Sequence, residues 1–227
     1  MKFIKKLFKK IIFVLFIKKK IQVPTKIVIA STGRSGSTLL YNAIISSLIL
    51  ENFNLHRNSK KFLLLRKLVG SFVVRLSDIK TSPFPVLKTH DLFDKQFEND
   101  ALYVFIYGDP LDSALSVKLM AQQKGISWFN AHIHHLNSSG ELGELFHKDI
   151  LNYENQMKSW STASSERVFI INYDDLWQSQ EKISDFVGLT IDLPEKRGRA
   201  VKQVPENINE ELFRHLRQVM IEISSKE

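Results

Sequence analysis

Apolar residues fall into two patterns along the chain. Four short runs are apolar on both faces and rich in β-branched and aromatic residues: 26–30 (KIVIA), 85–88 (PVLK), 102–107 (LYVFIY) and 167–172 (RVFIIN). Such runs predict buried strands. The segments between them predict helices. Residues 38–50 (TLLYNAIISSLIL) read as a buried helix, and 60–74 as a basic one. A further helix starts at Asp109-Pro110, with Asp109 as N-cap and Pro110 in the first turn, and Gly125 ends it. Residues 149–160, 174–187 (closed by Gly188) and 209–223 read as three more helices, and a polar, histidine-bearing stretch fills 126–148. Helices alternating with strands that are apolar on both faces predict an α/β fold. The expected form is a three-layer α/β/α architecture with a central parallel sheet.

The 227 residues are 44% hydrophobic and 25% charged, which suits one globular domain and excludes a disordered, collagenous or multi-pass membrane chain. There is no cysteine, so disulfide scaffolds, zinc–cysteine sites and thiol nucleophiles are excluded. That composition fits a reducing, cytoplasmic setting.

The net charge of +8 is localised. Residues 1–20 hold eight lysines and no acid, leaving 24 basic and 24 acidic residues in the remainder. A neutral remainder does not predict a nucleic-acid partner. Within the leader, Phe3, Ile4, Leu7, Phe8, Ile11, Ile12 and Leu15 recur at helical spacing among the lysines. Its unbroken apolar run, 11–17, is seven residues long. A membrane span needs about 20 residues. Three lysines follow the run where a secretory signal would carry a small-residue cleavage site. The leader, residues 1–23, is expected to lie as a basic amphipathic helix on an anionic membrane surface. Packing on its own domain or a partner, and a short span, are the alternatives. Pro24 opens the domain proper, 24–227.

Between the first strand and its helix lies STGRSGST, residues 31–38, in the layout of an anion-binding turn. Gly33 and Gly36 let the backbone bend toward an oxyanion, Arg34 offers a planar fork, and Ser37 and Thr38 add hydroxyls. The plain alternative is a strand-to-helix turn without a ligand. It is not a Walker A loop, because the glycines are three apart and Ser37 takes the lysine place. A P-loop kinase or NTPase is therefore the rival reading.

The segment KIVIASTGRSGSTLL resembles the 5′-phosphosulfate loop of sulfotransferases that use 3′-phosphoadenosine 5′-phosphosulfate (PAPS). Three later segments resemble the same family in order: LKTHDLF (87–93), YVFIYGDPLDSALSVKLM (103–120) and VFIINYDDL (168–176), the last followed by FVGL (186–189). The similarity spans residues 26–190. It implies a P-loop-like sulfotransferase architecture, PAPS as co-substrate and no metal. It also implies that Gly33, Arg34, Ser35, Gly36, Ser37 and Thr38 hold the 5′-phosphosulfate, Ser116 the 3′-phosphate, and Tyr173 the adenine surroundings. Arg34, Lys88 and His90 fall at the reaction centre: His90 takes the acceptor proton, Lys88 touches the sulfuryl oxygens and Arg34 neutralises the leaving phosphate. Asp91 is an alternative base.

The family's 3′-phosphate arginine falls at Gly108. An unreplaced loss of that contact costs about 1.5–3 kcal/mol. Arg75, Lys196, Arg197 and Arg199 are candidate replacements; without one, the chain is a catalytically impaired relative. The acceptor class is open, a small molecule or a glycan, with a membrane-bound leader favouring a glycolipid. His132, His134, His135 and His147 lack the partners of a metal site and suit an acceptor pocket or a solvated helix. Phe129 and Trp160 read as core, as does Trp128 unless 125–148 folds over the site. Asp174 and Asp175 read as helix-capping charges.

Overall fold

The computed structural model describes residues 2–21, 23, 25–164, 166–196 and 203–224. Helix α1 (Lys2–Ile12) continues through a π-helical turn, Phe13–Ile17, and a 3-10 turn, Lys18–Lys20. Then come β1 (Ile27–Ser31), α2 (Ser37–Phe53), α3 (Lys60–Leu68), β2 (Gly70–Phe72), α4 (Asp78–Thr81), β3 (Val86–Thr89) and β4 (Leu102–Tyr107). The rest is α5 (Pro110–Lys124), α6 (Ile126–His135), α7 (Tyr153–Trp160), β5 (Val168–Asn172), α8 (Gln180–Val187) and α9 (Glu210–Ser224).

The five strands form one wholly parallel sheet in the order β2-β3-β1-β4-β5, flanked by helices. This is the three-layer α/β/α architecture. Every residue of β1 is buried, as a central parallel strand covered on both faces requires. Around the far half of β4, Trp160 stacks on Phe105 with centroids 5.2 Å apart and planes 9° from parallel. Phe93 and Tyr103 close against the same indole, whose Nε1 donates to the Asp91 carbonyl at 3.1 Å. A second apolar cluster, with Val117 of α5, Phe129 and Ile133 of α6, Phe146 and Phe213 of α9, fixes α6 beside α5.

Four segments differ from the sequence expectation. The basic helix stops at Leu68, and 70–72 become the edge strand β2, because pairing with β3 outweighs helical propensity. At Gly70 a Cβ would lie 2.3 Å from the Tyr41 hydroxyl, so the strand runs too close to α2 for a side chain. The polar stretch contains α6, whose apolar residues pack against α5. Helix α7 begins only at Tyr153: the Asp149 carboxylate accepts from the Tyr153 and Glu154 amides at 2.9 Å each, capping it from four residues upstream. Asp174 and Asp175 sit in a 3-10 turn (Tyr173–Asp175) capped by the Asn172 side chain, and α8 starts separately.

Phe13 and Ile17 belong to the same core as β1, and Phe13 meets Phe84 with centroids 5.0 Å apart. The leader thus packs on its own domain along one face. Among the described residues no helix is long and apolar enough to cross a membrane. Pro24 lies outside the described residues.

Candidate active site

The register aligns Ala30 with Thr89, Ser31 with Ile106, and Tyr107 with Asn172, so the carboxyl ends of β3, β1, β4 and β5 lie side by side. The chain passes from β3 to β4 across β1. Open parallel sheets form their crevice at such a reversal. The residues that follow these strands, 32–36, His90, Gly108 and Tyr173, therefore share one edge.

After β1, Gly33, Arg34 and Gly36 take left-handed conformations, with φ of 81°, 54° and 84°. Gly36 is the N-cap of α2, and the Leu39 amide donates to its carbonyl at 2.9 Å. A Cβ there would come within 2.1 Å of the Tyr173 ring. Only glycine allows both that conformation and that approach. Ser35 Oγ donates to the Ile106 carbonyl at 2.8 Å and ties the turn to β4. Arg34, a non-glycine residue in the left-handed region, carries its side chain to α5, where Nε donates to Ser116 Oγ at 3.1 Å.

Lys88, near the end of β3, donates from Nζ to Thr38 Oγ1 at 2.8 Å. Burial, assisted by the nearby Arg34 charge, lowers its pKa to about 8. Two residues on, His90 is 6% exposed. Its Nδ1 lies 3.0 Å from both the carbonyl oxygen and the Oγ of Ser31. A carbonyl only accepts, so Nδ1 carries the proton and Nε2 keeps the lone pair. Ser31 Oγ donates onward to Ser37 Oγ at 2.9 Å, joining the histidine to the turn. Burial, then the Lys88 charge, holds the His90 pKa well below its ordinary value against the opposing pull of the Ser31 carbonyl. The imidazole is therefore neutral.

His132, from α6, stacks on Trp128 at 4.9 Å and meets the His90 ring edge-on at 5.8 Å. Burial, then Arg34, lowers its pKa to about 3. Asp109 accepts from the Asp112 amide at 2.9 Å as the expected N-cap. It also accepts from Arg217 Nε of α9 at 2.6 Å. Burial pushes the Asp109 carboxyl upward, but Arg217 and the Asp112 and Leu111 amides outweigh it and hold it below the usual range.

These groups border a cleft of about 470 Å³. Of the residues nominated from sequence, Arg34, Ser35, Gly36, Ser37, Thr38, Lys88, His90, Ser116 and Tyr173 line it. Gly33 does not: it sits under α6, where a Cβ would be 3.1 Å from Leu136. Leu39, Trp128, His132, Gly108, Asp109, Asp112 and Ser113 complete the lining. Asp91 is taken up elsewhere, accepting from the Leu76 amide at 2.8 Å and from Arg75 at 3.3 Å. Asp91 and Arg75 line a different depression. Lys196 donates to the Asp174 carbonyl at 3.1 Å and lies 5.3 Å from the Trp177 ring centroid, and it does not line the cleft. Arg197 and Arg199 lie outside the described residues. Among the described residues no group of three or more histidines and carboxylates is placed to hold a metal ion.

Chemically, the cleft sets the N-terminus of α2, two cations and several hydroxyls beside a neutral imidazole. Fold and site together define a parallel α/β protein with a crevice at its strand ends lined by two cations, hydroxyls and the Asp109 and Asp112 carboxylates. No protein-family model and no curated protein matches the sequence. Among solved structures, the chain is similar to a sulfotransferase from Alicyclobacillus acidocaldarius, at 13% identity and a TM-score of 0.48, over 90% of this chain and 96% of that one. It is similar to retinol dehydratase in a complex with retinol and PAP, at 18% identity and a TM-score of 0.48, over 91% and 69%. It is also similar to mouse sulfotransferase SULT7A1 complexed with PAP, at 18% identity and a TM-score of 0.46. That match covers 78% of this chain but only 62% of the mouse enzyme's length.

Proposed function

We propose that the protein transfers a sulfuryl group from PAPS to an acceptor hydroxyl. The observation that carries this reading is the link from Ser37 through Ser31 to His90, which joins the anion-accepting turn to a lone-pair-bearing imidazole. PAPS suits the donor set because its phosphates call for backbone amides, hydroxyls and cations, all of which line this cleft. When bound, it supplies an activated sulfuryl group and a bisphosphate leaving group.

Within that reading each residue has a task. The α2 amides with Ser37 and Thr38 hold the 5′ side. Lys88 and Arg34 offset charge that builds on the leaving oxygen. His90 Nε2 accepts the acceptor's hydroxyl proton as the oxygen bonds to sulfur. Ser31 fixes the ring for that transfer. Trp128 and His132 of α6 border the acceptor side. Gly108 supplies no side chain, and Arg34, whose Nε donates to Ser116 Oγ, is then the one guanidinium among the cleft-lining residues, shared between the 5′ side and the 3′ side.

Gly108 also favours a second reading, a relative that binds the nucleotide weakly and turns over slowly. Calorimetry of the full chain with 3′,5′-bisphosphoadenosine, with and without EDTA, tests both. Binding that EDTA leaves unchanged, with sulfuryl transfer from PAPS, supports the enzyme. Binding without transfer leaves the impaired relative. No binding of the bisphosphate, with binding of Mg-ATP, overturns both in favour of the NTPase.

A further inference from the structure

The leader buries one face and leaves another bare. Phe13 and Ile17 enter the core, and Lys9 donates to the Gly70 carbonyl and sits 5.1 Å from the Phe84 ring centroid, so the rotation of α1 about its axis is fixed. Leu7, Phe8, Ile11, Val14, Leu15 and Phe16 then remain exposed, from 41% at Val14 to 70% at Phe16. Leu7 and Ile11, four residues apart on α1, share one stripe, and in the π-helical turn Val14, Leu15 and Phe16 are exposed while Phe13 and Ile17 are buried. Helix α3 packs beside α1 and adds Leu63 and Leu64, both exposed.

Helices α1 and α3 themselves carry charge of a single sign, although Asp78 shares a depression with Leu7 and Lys10. Residues 1–20 carry eight lysines and no acid, and 52–77 carry six basic residues and no acid. Lys10, Lys18, Lys19, Lys20, Lys60 and Lys61 are exposed. Exposed apolar side chains on neighbouring helices, flanked by cations, mark a docking site. A second copy of this chain would set lysines against lysines, whereas an anionic lipid surface complements them.

We infer that α1 and α3 together form a membrane-docking face, which rests on the surface of an anionic bilayer with the exposed leader residues and Leu63–Leu64 sunk among the lipid headgroups. Lysine stems allow the ammonium groups to reach the phosphates while the apolar side chains enter. The leader need not leave its domain to bind, since the face that docks is not the face that packs. This inference is independent of the chemistry proposed for the cleft.

Co-sedimentation of the full chain with vesicles tests it, using phosphatidylcholine alone and phosphatidylcholine with about one-third phosphatidylserine. Binding is expected to the anionic vesicles and to weaken at least tenfold on their neutral counterparts or in about 0.5 M salt. Leu15→Ser/Phe16→Ser should lower it about tenfold or more, and Leu63→Ser/Leu64→Ser about threefold or more, with thermal midpoints unchanged because these side chains are exposed. Equal or absent binding of the wild-type chain to both vesicles overturns the inference. So does unchanged binding of either variant. A solution dimer that Leu15→Ser/Phe16→Ser dissolves, with no vesicle binding, overturns it in favour of self-association.

Discussion

His90 Nδ1 stands 3.0 Å from the backbone carbonyl of Ser31, the last residue of the central strand. Because the contact is to backbone, the tautomer of His90 survives loss of the serine side chain. His90→Ala is expected to lower sulfuryl-transfer turnover at least tenfold, in line with the contribution of a general base, which is about 10²–10⁴-fold. Affinity for 3′,5′-bisphosphoadenosine should barely change. Ser31→Ala should cost only a few-fold. Steady-state kinetics with PAPS, alongside calorimetry of the bisphosphate, measures both, and wild-type turnover in His90→Ala would remove the assignment of the base.

The pH dependence follows from two lowered pKa values. His90 is already neutral well below its ordinary range, so activity should show no inflection where a free imidazole titrates, about 6.5. Lys88 behaves in the opposite sense. With a pKa of about 8 it is a cation below that pH and loses its charge above it. A bound anion favours the protonated form, so nucleotide binding takes up a proton above pH 8 and affinity falls as pH rises. The slope should approach about one decade per pH unit. Lys88→Met should abolish this alkaline limb. Calorimetry in two buffers of different ionisation enthalpy reads the proton uptake, and an affinity flat to pH 10 would contradict it.

Gly36 and the Tyr173 ring are mutually dependent. Gly36→Ala adds a left-handed alanine and a methyl group 2.1 Å from that ring. The two costs together come to about 2–4 kcal/mol. The variant should melt earlier and bind the bisphosphate weakly. Adding Tyr173→Ala should recover the clash but not the backbone cost, so thermal melts of the double mutant will depart from additivity.

Much of this was legible in the sequence. The strand runs ending at Ser31, Tyr107 and Asn172 were readable because buried parallel strands are apolar on both faces. The turn was readable because its two glycines and basic residue fall within four positions, 33–36. What escaped depends on long-range contacts. β2 is three residues long and owes its conformation to pairing with β3. Arg217 reaches Asp109 across 108 residues of chain, and nothing near either position signals the pairing. His132 and Trp128 enter the cleft because α6 packs on α5, and a polar-looking stretch concealed that helix. Gly33 looked equivalent to Gly36, yet it serves contact with α6 rather than the cleft.

Gly108 is spacious enough to take a side chain. A Cβ there would rest 3.6 Å from Ser35 and 3.7 Å from Tyr173, both ordinary contacts, and φ is not left-handed. Its carbonyl, which accepts from Tyr153 at 2.7 Å, is unaffected by substitution. Gly108→Arg should therefore fold normally and tighten bisphosphate binding by about tenfold or more, the equivalent of one charge-assisted contact. Adenosine 5′-monophosphate, lacking the 3′-phosphate, should gain little. Paired titrations of the two nucleotides check this, and an equal gain for both would place the new guanidinium elsewhere.

The stacking of Trp128 on His132 equips the molecule with its own optical reporter. Of the three indoles, Trp160 is sealed in the core and Trp177 lies against Tyr173 and Lys196, leaving Trp128 alone among the cleft-lining residues. Ligand occupancy can thus be followed by intrinsic fluorescence without attaching a dye, and the difference between the native chain and Trp128→Phe isolates the signal arising in the cleft.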